Sequence, residues 1–381
     1  MAVTVHKVES KQDHKDFFEF PWQLYQHDPN WVPPLLSMQR DKLNKQKNPS
    51  WQYLRGDYYL ARRDGRVVGT IAAFVNPRHN EFHKENIAWF GLFEVENDPE
   101  AAHALLKTAE DWARAEGYTA LRGPQSFTAT DEVGLLVEGF TQPVILMPYN
   151  PPYYQGLVES AGFQKVMDVY SYHGNWQDLR DSGILDRFGR LVEKTKKRHN
   201  ITIRPIDRKN LKAEFNLFKD IYNAAWELNW GFTPFTEAEL DALVEGLGMI
   251  FDPKLACFAY VGNEPVGFLL SVPDFNVVLK KAYPNPRTPE VITLVKALWH
   301  WKIRPKTTLL RIPLMGVKAA YRGKGVDMAM YHHTVQALEG TPYTEVDAGW
   351  ILETNQPMNL VSESSGLEVY KRHRFYEKAL S

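Results

Sequence analysis

Two stretches of this 381-residue chain, about 200 positions apart, follow one plan, and that duplication limits the possible fold more than any other feature. From Tyr58 to Ala72 the sequence reads as two apolar-patterned strands joined at Asp64-Gly65, a pair suited to the positive φ that tight hairpin turns demand. Cys257 to Leu270 repeats that hairpin around Gly262-Asn263, and its Gly267 stands 198 residues after Gly69. A second landmark agrees. Leu157 to Phe163 and Leu360 to Leu367 both read as a helix end closed by glycine, and Gly162 and Gly366 stand 204 apart. Two separate landmarks thus give one period, which predicts a tandem repeat of one domain rather than a single large core.

Each copy also opens alike, with a strand (Ala2 to Val8, Ile201 to Ile206) and then an amphipathic helix. The helix of the second copy carries Phe215, Leu217, Phe218, Ile221, Tyr222 and Trp226. After each hairpin comes an apolar strand, Ile87 to Glu94 or Thr308 to Val317, and then a helix, Pro99 to Glu116 or Val326 to Leu338. Strand, helix and closing strand follow in both. The expected fold is α/β (α+β), with two domains, each a mixed, mostly antiparallel sheet flanked by helices. The boundaries read as 1–175 for the first copy, 176–200 for a linker helix and 201–381 for the second. The basic run Lys194-Thr195-Lys196-Lys197-Arg198 reads as a solvated face of that linker. An insertion in the second copy holds a helix, Thr288 to Lys302, with Val291, Leu294, Val295, Leu298 and Trp299 on one side. That stripe fits a surface packed on the other copy, or a lid over an acceptor site.

Bulk properties exclude several classes. A net charge of −1 argues against bulk nucleic-acid binding, which leaves a basic footprint. One cysteine, Cys257, forbids an internal disulfide, and no His/Cys cluster suggests a metal. The start of the chain has no apolar signal core, and no uncharged run reaches the length of a membrane span, so a cytoplasmic protein is expected.

The chemistry is concentrated in Val317-Lys318-Ala319-Ala320-Tyr321-Arg322-Gly323-Lys324-Gly325-Val326-Asp327. An apolar strand enters a basic, glycine-containing loop, and the loop opens a helix. The free N–H groups and positive dipole end of that helix make an anion site suited to phosphate or pyrophosphate.

Arg322-x-x-Gly325-x-Asp327 resembles the coenzyme A pyrophosphate loop of the GCN5-related N-acetyltransferase (GNAT) superfamily. The resemblance implies a tandem member with two acyl-CoA N-acyltransferase-like domains. It places the pantetheine and thioester of acetyl-CoA or another acyl-CoA along Met315, Gly316 and Val317. The pyrophosphate falls on Arg322, Gly323, Lys324, Gly325, Val326 and Asp327, and Asn355, eleven before Gly366, matches an asparagine common in the family. The first copy has Glu96-Asn97-Asp98-Pro99-Glu100 at the loop position, whose carboxylates would repel a pyrophosphate, so its donor site is expected to be lost.

Two positions depart from the family. Asp327 stands where glycine or alanine is usual and could cap the helix itself. Ser362 stands where a tyrosine often protonates the leaving thiolate. Glu345, Asp347 and Glu353 share a strand region, and Glu353, beside Asn355, is the candidate general base. The expected function is acyl transfer from acyl-CoA to the amine of a small molecule or peptide. Alternatives are an aminoacyl- or long-acyl-transferring relative, or a non-catalytic protein that binds CoA or another small molecule. The tandem copies could form an internal pseudo-dimer.

Overall fold

Thr4–Lys7 (β1) forms the first edge of a sheet, pairing antiparallel with Arg55–Arg63 (β2) so that Val5 faces Ala61. Between them lie helices Lys11–Leu24 (α1) and Leu36–Leu43 (α2). Ser10 starts α1 with a reciprocal cap: its hydroxyl accepts from Asp13 N–H, and the Asp13 carboxylate accepts from Ser10 N–H. The expected Asp64-Gly65 turn, both residues at positive φ, joins β2 to Arg66–Val75 (β3). Helix Pro77–His83 (α3) precedes Ile87–Val95 (β4), which is antiparallel to β3. Helix Pro99–Ala115 (α4) then crosses to Ala120–Gly123 (β5), parallel to β4. Its Leu105, Leu106, Ala109 and Ala113 are fully buried against Val68, Ile71 and Phe90 of the sheet, each burial removing apolar surface from water. Leu135–Glu138 (β6), Tyr154–Ser160 (α5) and Gln164–Asn175 (β7) complete the first copy.

The structure is a computed structural model that describes residues 2–128, 132–227, 229–248, 250, 252–305 and 307–380. The second copy repeats the plan. Helices Trp176–Asp181 (α6) and Ile184–His199 (α7) lead into strand Ile201–Pro205 (β8). Leu211–Trp226 (α8), Glu237–Gly248 (α9) and the hairpin Ala256–Val261 (β9) and Glu264–Pro273 (β10) come next. Asn276–Ala282 (α10) and Glu290–Leu298 (α11) form the insertion. Leu309–Val317 (β11), Val326–Leu338 (α12), Glu345–Leu352 (β12), Gln356–Ser364 (α13) and Glu368–Ala379 (β13) finish the chain. The matched glycines occupy matched places: Gly69 faces Val95 across β3 and β4, and Gly267 faces Val317 across β10 and β11.

Compact unit 1 comprises residues 1–169, 276–305 and 371–381, and unit 2 comprises 170–275 and 306–370. Two segments that sequence order places inside the second copy therefore lie in unit 1. The insertion is held there by Trp22, whose indole N–H donates to the Pro284 carbonyl at 2.8 Å, and by Lys280, which donates to the Trp31 carbonyl at 2.6 Å. The last strand joins unit 1 by pairing Tyr376 to Ala379 with β5. In unit 2, β12, β11, β10, β9 and β8 are neighbours in that order.

A buried ion pair fastens the end of the chain within unit 1. Arg374 donates from Nε and from a terminal nitrogen to both Asp168 oxygens, at 2.8 and 3.0 Å, with Asp168 wholly buried. Burial works to raise the Asp168 carboxyl, but Arg374 and Lys165 outweigh it and hold the group below the ordinary carboxylate range. Its contribution to stability is therefore present above the unfolded pKa and lost as pH falls through the folded one. Arg374→Met leaves the buried carboxylate with Lys165 at 3.1 Å but without its bidentate partner, and is expected to cost about 1–3 kcal/mol, read as a lower denaturant midpoint near pH 7.

Candidate functional site

Parallel strands β11 and β12 pair only from Leu309 opposite Glu345 to Ile312 opposite Ala348. Beyond that point β11 stays with β10 as far as Val317, while β12 runs on without it to Leu352. The edge of β11 around Met315, Gly316 and Val317 is thereby released from its parallel partner, so its backbone groups can address something other than β12.

The loop follows at once. Gly323 and Gly325 sit at φ +72° and +78°, a region that suits glycine and turns the chain into α12. The first-turn N–H groups of a helix have no intrahelical partner. One of them is already used: the Asp327 carboxylate accepts from Met328 N–H at 2.9 Å. The cations are positioned too. Arg322 donates from Nε to the Val317 carbonyl at 3.2 Å and from a terminal nitrogen to the Ala225 carbonyl. Lys324 lies 4.7 Å from the Tyr321 ring centroid, and the Tyr321 hydroxyl donates to Glu264 at 2.5 Å.

Two neighbours were not visible as site residues in the sequence. The Trp226 ring lies on Gly316 so closely that an added Cβ would stand 2.1 Å from a ring carbon, so only glycine lets it approach. Thr195 of α7 reaches Gly325, where an added Cβ would meet its methyl at 2.5 Å. The same helix presents Arg190, Lys194 and Lys197, which with His332 help line an open groove of about 630 Å³.

The remaining sequence candidates are spread along the chain after β12. Glu353 is half-buried at the strand end, and Asn355 caps α13, its side chain accepting from Met358 N–H at 3.4 Å. Ser362 is fully buried inside α13. Its polar neighbour is the Tyr331 hydroxyl of α12, one helical turn after Asp327. Burial pushes that phenol well above its ordinary range. Asp347 faces the Arg311 guanidinium at 3.6 Å and accepts from the Tyr370 hydroxyl at 2.8 Å, all within a buried part of unit 2. Among the described residues no three His, Cys, Asp or Glu side chains group as metal ligands do.

Unit 1 opens the same strand pair, with β4 and β5 matched only from Ile87 to Trp89. The position equivalent to Gly316 is Glu94, which faces Thr70 one place before the Gly69–Val95 pair. Its carboxylate accepts from Tyr25 at 2.6 Å and Tyr154 at 2.8 Å. Tyrosines also take the backbone of Val95: its N–H donates to the Tyr154 hydroxyl at 2.7 Å, and its carbonyl accepts from Tyr153 at 2.8 Å. Asp98 caps α4, accepting from Ala101 N–H, and Arg63 bridges Asp98 and Glu100.

With this geometry in place, the known relatives can be compared. Bacterial ceramide synthase of Caulobacter vibrioides (strain NA1000 / CB15N) is 32% identical over 390 residues, spanning 99% of this chain and 98% of its own. Protein YghO of Escherichia coli (strain K12) is 32% identical over 381 residues, spanning 97% and 94%. The solved structure of a tandem GNAT protein from the clavulanic acid biosynthesis pathway (without AcCoA) superposes with a TM-score of 0.55 at 12% identity. It covers 100% of this chain and 99% of its own. The chain belongs to the family of bacterial ceramide synthase and YghO, and its fold is that of a tandem GNAT protein. No protein-family model matches the sequence. The mixed, mostly antiparallel sheets and flanking helices are those that the loop resemblance implied.

Burial pushes the Glu94 carboxyl from 4.5 up to about 7, against the pull of its two tyrosine donors. A carboxyl raised in the folded state binds more protons there than in the unfolded chain. Stability therefore falls as pH climbs from about 4.5 to about 7. Glu94→Gln is expected to flatten that decline, seen as melting temperatures that change less than wild type across this interval.

Proposed function

We propose that this GNAT protein is an N-acyltransferase that moves a long acyl chain from coenzyme A to the amine of a long-chain amino acceptor, forming a ceramide-type amide. The observation that carries the reading is the 32% identity to bacterial ceramide synthase along 99% of the chain. It is supported by the released β11 edge leading into a basic glycine loop at a helix start. A ceramide is the amide of a fatty acid and a sphingoid amine, so the relative's name and the fold's chemistry agree.

The donor lies along Met315, Gly316 and Val317, with pyrophosphate at the Arg322 to Asp327 loop. Asn355, as the cap of α13, holds the facing helix in place. Arg190, Lys194 and Lys197 of α7 supply cations for the phosphoadenosine end. The amine nitrogen attacks the thioester carbonyl carbon, a C–N bond forms, the C–S bond breaks, and the thiolate departs and is protonated. The ammonium proton of the acceptor must first be removed, and Glu353 is the proposed base. With serine buried at 362, the phenol on this side of the sheet belongs to Tyr331, which we assign to the thiolate in place of Ser362. Unit 1 is read as lacking a donor site, since tyrosines occupy the backbone of Val95 and carboxylates stand at the start of α4.

Incubating the purified protein with acyl-CoAs of increasing length and a sphingoid amine should give the matching amide by mass spectrometry, with long chains favoured. CoA binding without amide from any donor would overturn the transferase reading in favour of a binding protein. Glu353→Gln should lower kcat more than it raises KM. Asp327→Gly frees Met328 N–H and removes a like charge from the pyrophosphate site, so CoA affinity by calorimetry should rise on the order of tenfold, or ~1.4 kcal/mol.

A further inference from the structure

Helix α11 presents its apolar side outward. Of its residues only the small Thr293 and Ala297 are buried, on the side turned to the rest of unit 1. Away from it point Val291, Val295, Leu298 and Ile303, each between 58 and 64% exposed, joined by Ile292, Leu294 and Trp299. The stripe that the sequence offered as a surface packed on the other copy, or as a lid, is therefore exposed, the reverse of a helix whose apolar face is buried in its own core. The segment is nonetheless docked at its base. Besides the Trp22 and Lys280 bonds, Glu290 accepts from Ser37 N–H at 2.7 Å and pairs with Arg40 at 3.6 Å.

Charge says what covers the face. Residues 276–305 carry six cations, Lys280, Lys281, Arg287, Lys296, Lys302 and Arg304, against one acid, Glu290, in a chain whose net charge is −1. Lys296, Lys302 and Arg304 are exposed around the apolar surface, and Trp299 stands at its carboxyl-terminal end. A protein-docking surface is depleted in lysine, whereas apolar side chains ringed by Lys and Arg with an interfacial Trp suit the boundary between anionic headgroups and acyl chains. Among the described residues no helix is long and apolar enough to cross a membrane, so the segment would lie in the interface. We propose that residues 276–305 seat this protein on anionic phospholipid, with α11 lying in the headgroup–acyl boundary.

The inference requires no substrate and so is tested apart from acyl transfer. The full chain is sedimented with vesicles of phosphatidylcholine alone or mixed equally with phosphatidylglycerol, at low and high salt. Wild type should pellet with the anionic vesicles, lose most of that binding at high salt and without phosphatidylglycerol, and shift its tryptophan emission to shorter wavelength when bound. Val295→Glu with Leu298→Glu should reduce the partition at least tenfold, and Lys302→Glu with Arg304→Glu should remove its preference for anionic lipid. Wild type left in the supernatant, or pelleting independent of these changes, overturns the proposal. So does a concentration-dependent dimer in gel filtration that Val295→Glu with Leu298→Glu abolishes, since a second copy would then own the face. Circular dichroism checks the variants, and should one misfold, the lipid and salt dependence of wild type decides.

Discussion

Four residues of parallel pairing govern the second unit. Leu309 to Ile312 bind β11 to β12, and where that pairing stops the backbone of Met315 to Val317 loses one neighbour. A strand edge inside a protein must have its N–H and C=O groups satisfied, so the parting of the strands creates a standing demand for a ligand or a side chain. The loop and α12 then begin next to that edge, which puts helix N–H groups and a strand edge in one place. Neither element is unusual by itself. Their adjacency makes an elongated, anionic, amide-bearing molecule a chemically fitting occupant.

The two copies meet that demand differently at equivalent positions. Register against Gly69 and Gly267 equates Glu94 with Gly316 and Val95 with Val317. In unit 1 the chain answers from within: a half-buried carboxyl and three tyrosines occupy the opening and its backbone. In unit 2 the same spot is glycine, and the Trp226 ring lies against it, packed on Tyr222 and Phe268. A ring held by packing can be displaced, whereas a network of hydroxyl–carboxylate bonds resists displacement because each buried group would lose its partner.

The duplication, the hairpins and the element order of both copies were legible because glycine spacing and apolar periodicity are local properties. Helix α12 and strand β12 begin and end where the pattern places them, at Val326–Leu338 and Glu345–Leu352. What stayed hidden depends on contacts remote in sequence. The anchoring of Arg322 on the Ala225 carbonyl joins residues 97 apart, and Trp226 on Gly316 is of the same kind. Ser362 marked a departure from the family motif, but only the packing of α12 beside α13 shows Tyr331 as its neighbour. The apolar stripe of α11 was plain in sequence, yet periodicity cannot say whether a stripe meets protein, water or lipid. Sequence order likewise could not reveal that residues 276–305 belong with unit 1.

The final strand has a consequence for how the molecule is made. Unit 1 contains the first 169 residues, yet its sheet needs Tyr376 to Ala379 beside β5 and Arg374 on Asp168. A ribosome releases those residues about 200 positions after the first 169. The unit begun first is thus closed only after unit 2 has been made, through contacts spanning more than 200 positions, the kind of long-range closure that slows folding. Until those residues emerge, β5 lacks its β13 neighbour and Asp168 has Lys165 but not Arg374, so the nascent half is not yet a finished domain. The beginning of the chain therefore reaches its full set of contacts only once residues 374–379 are available.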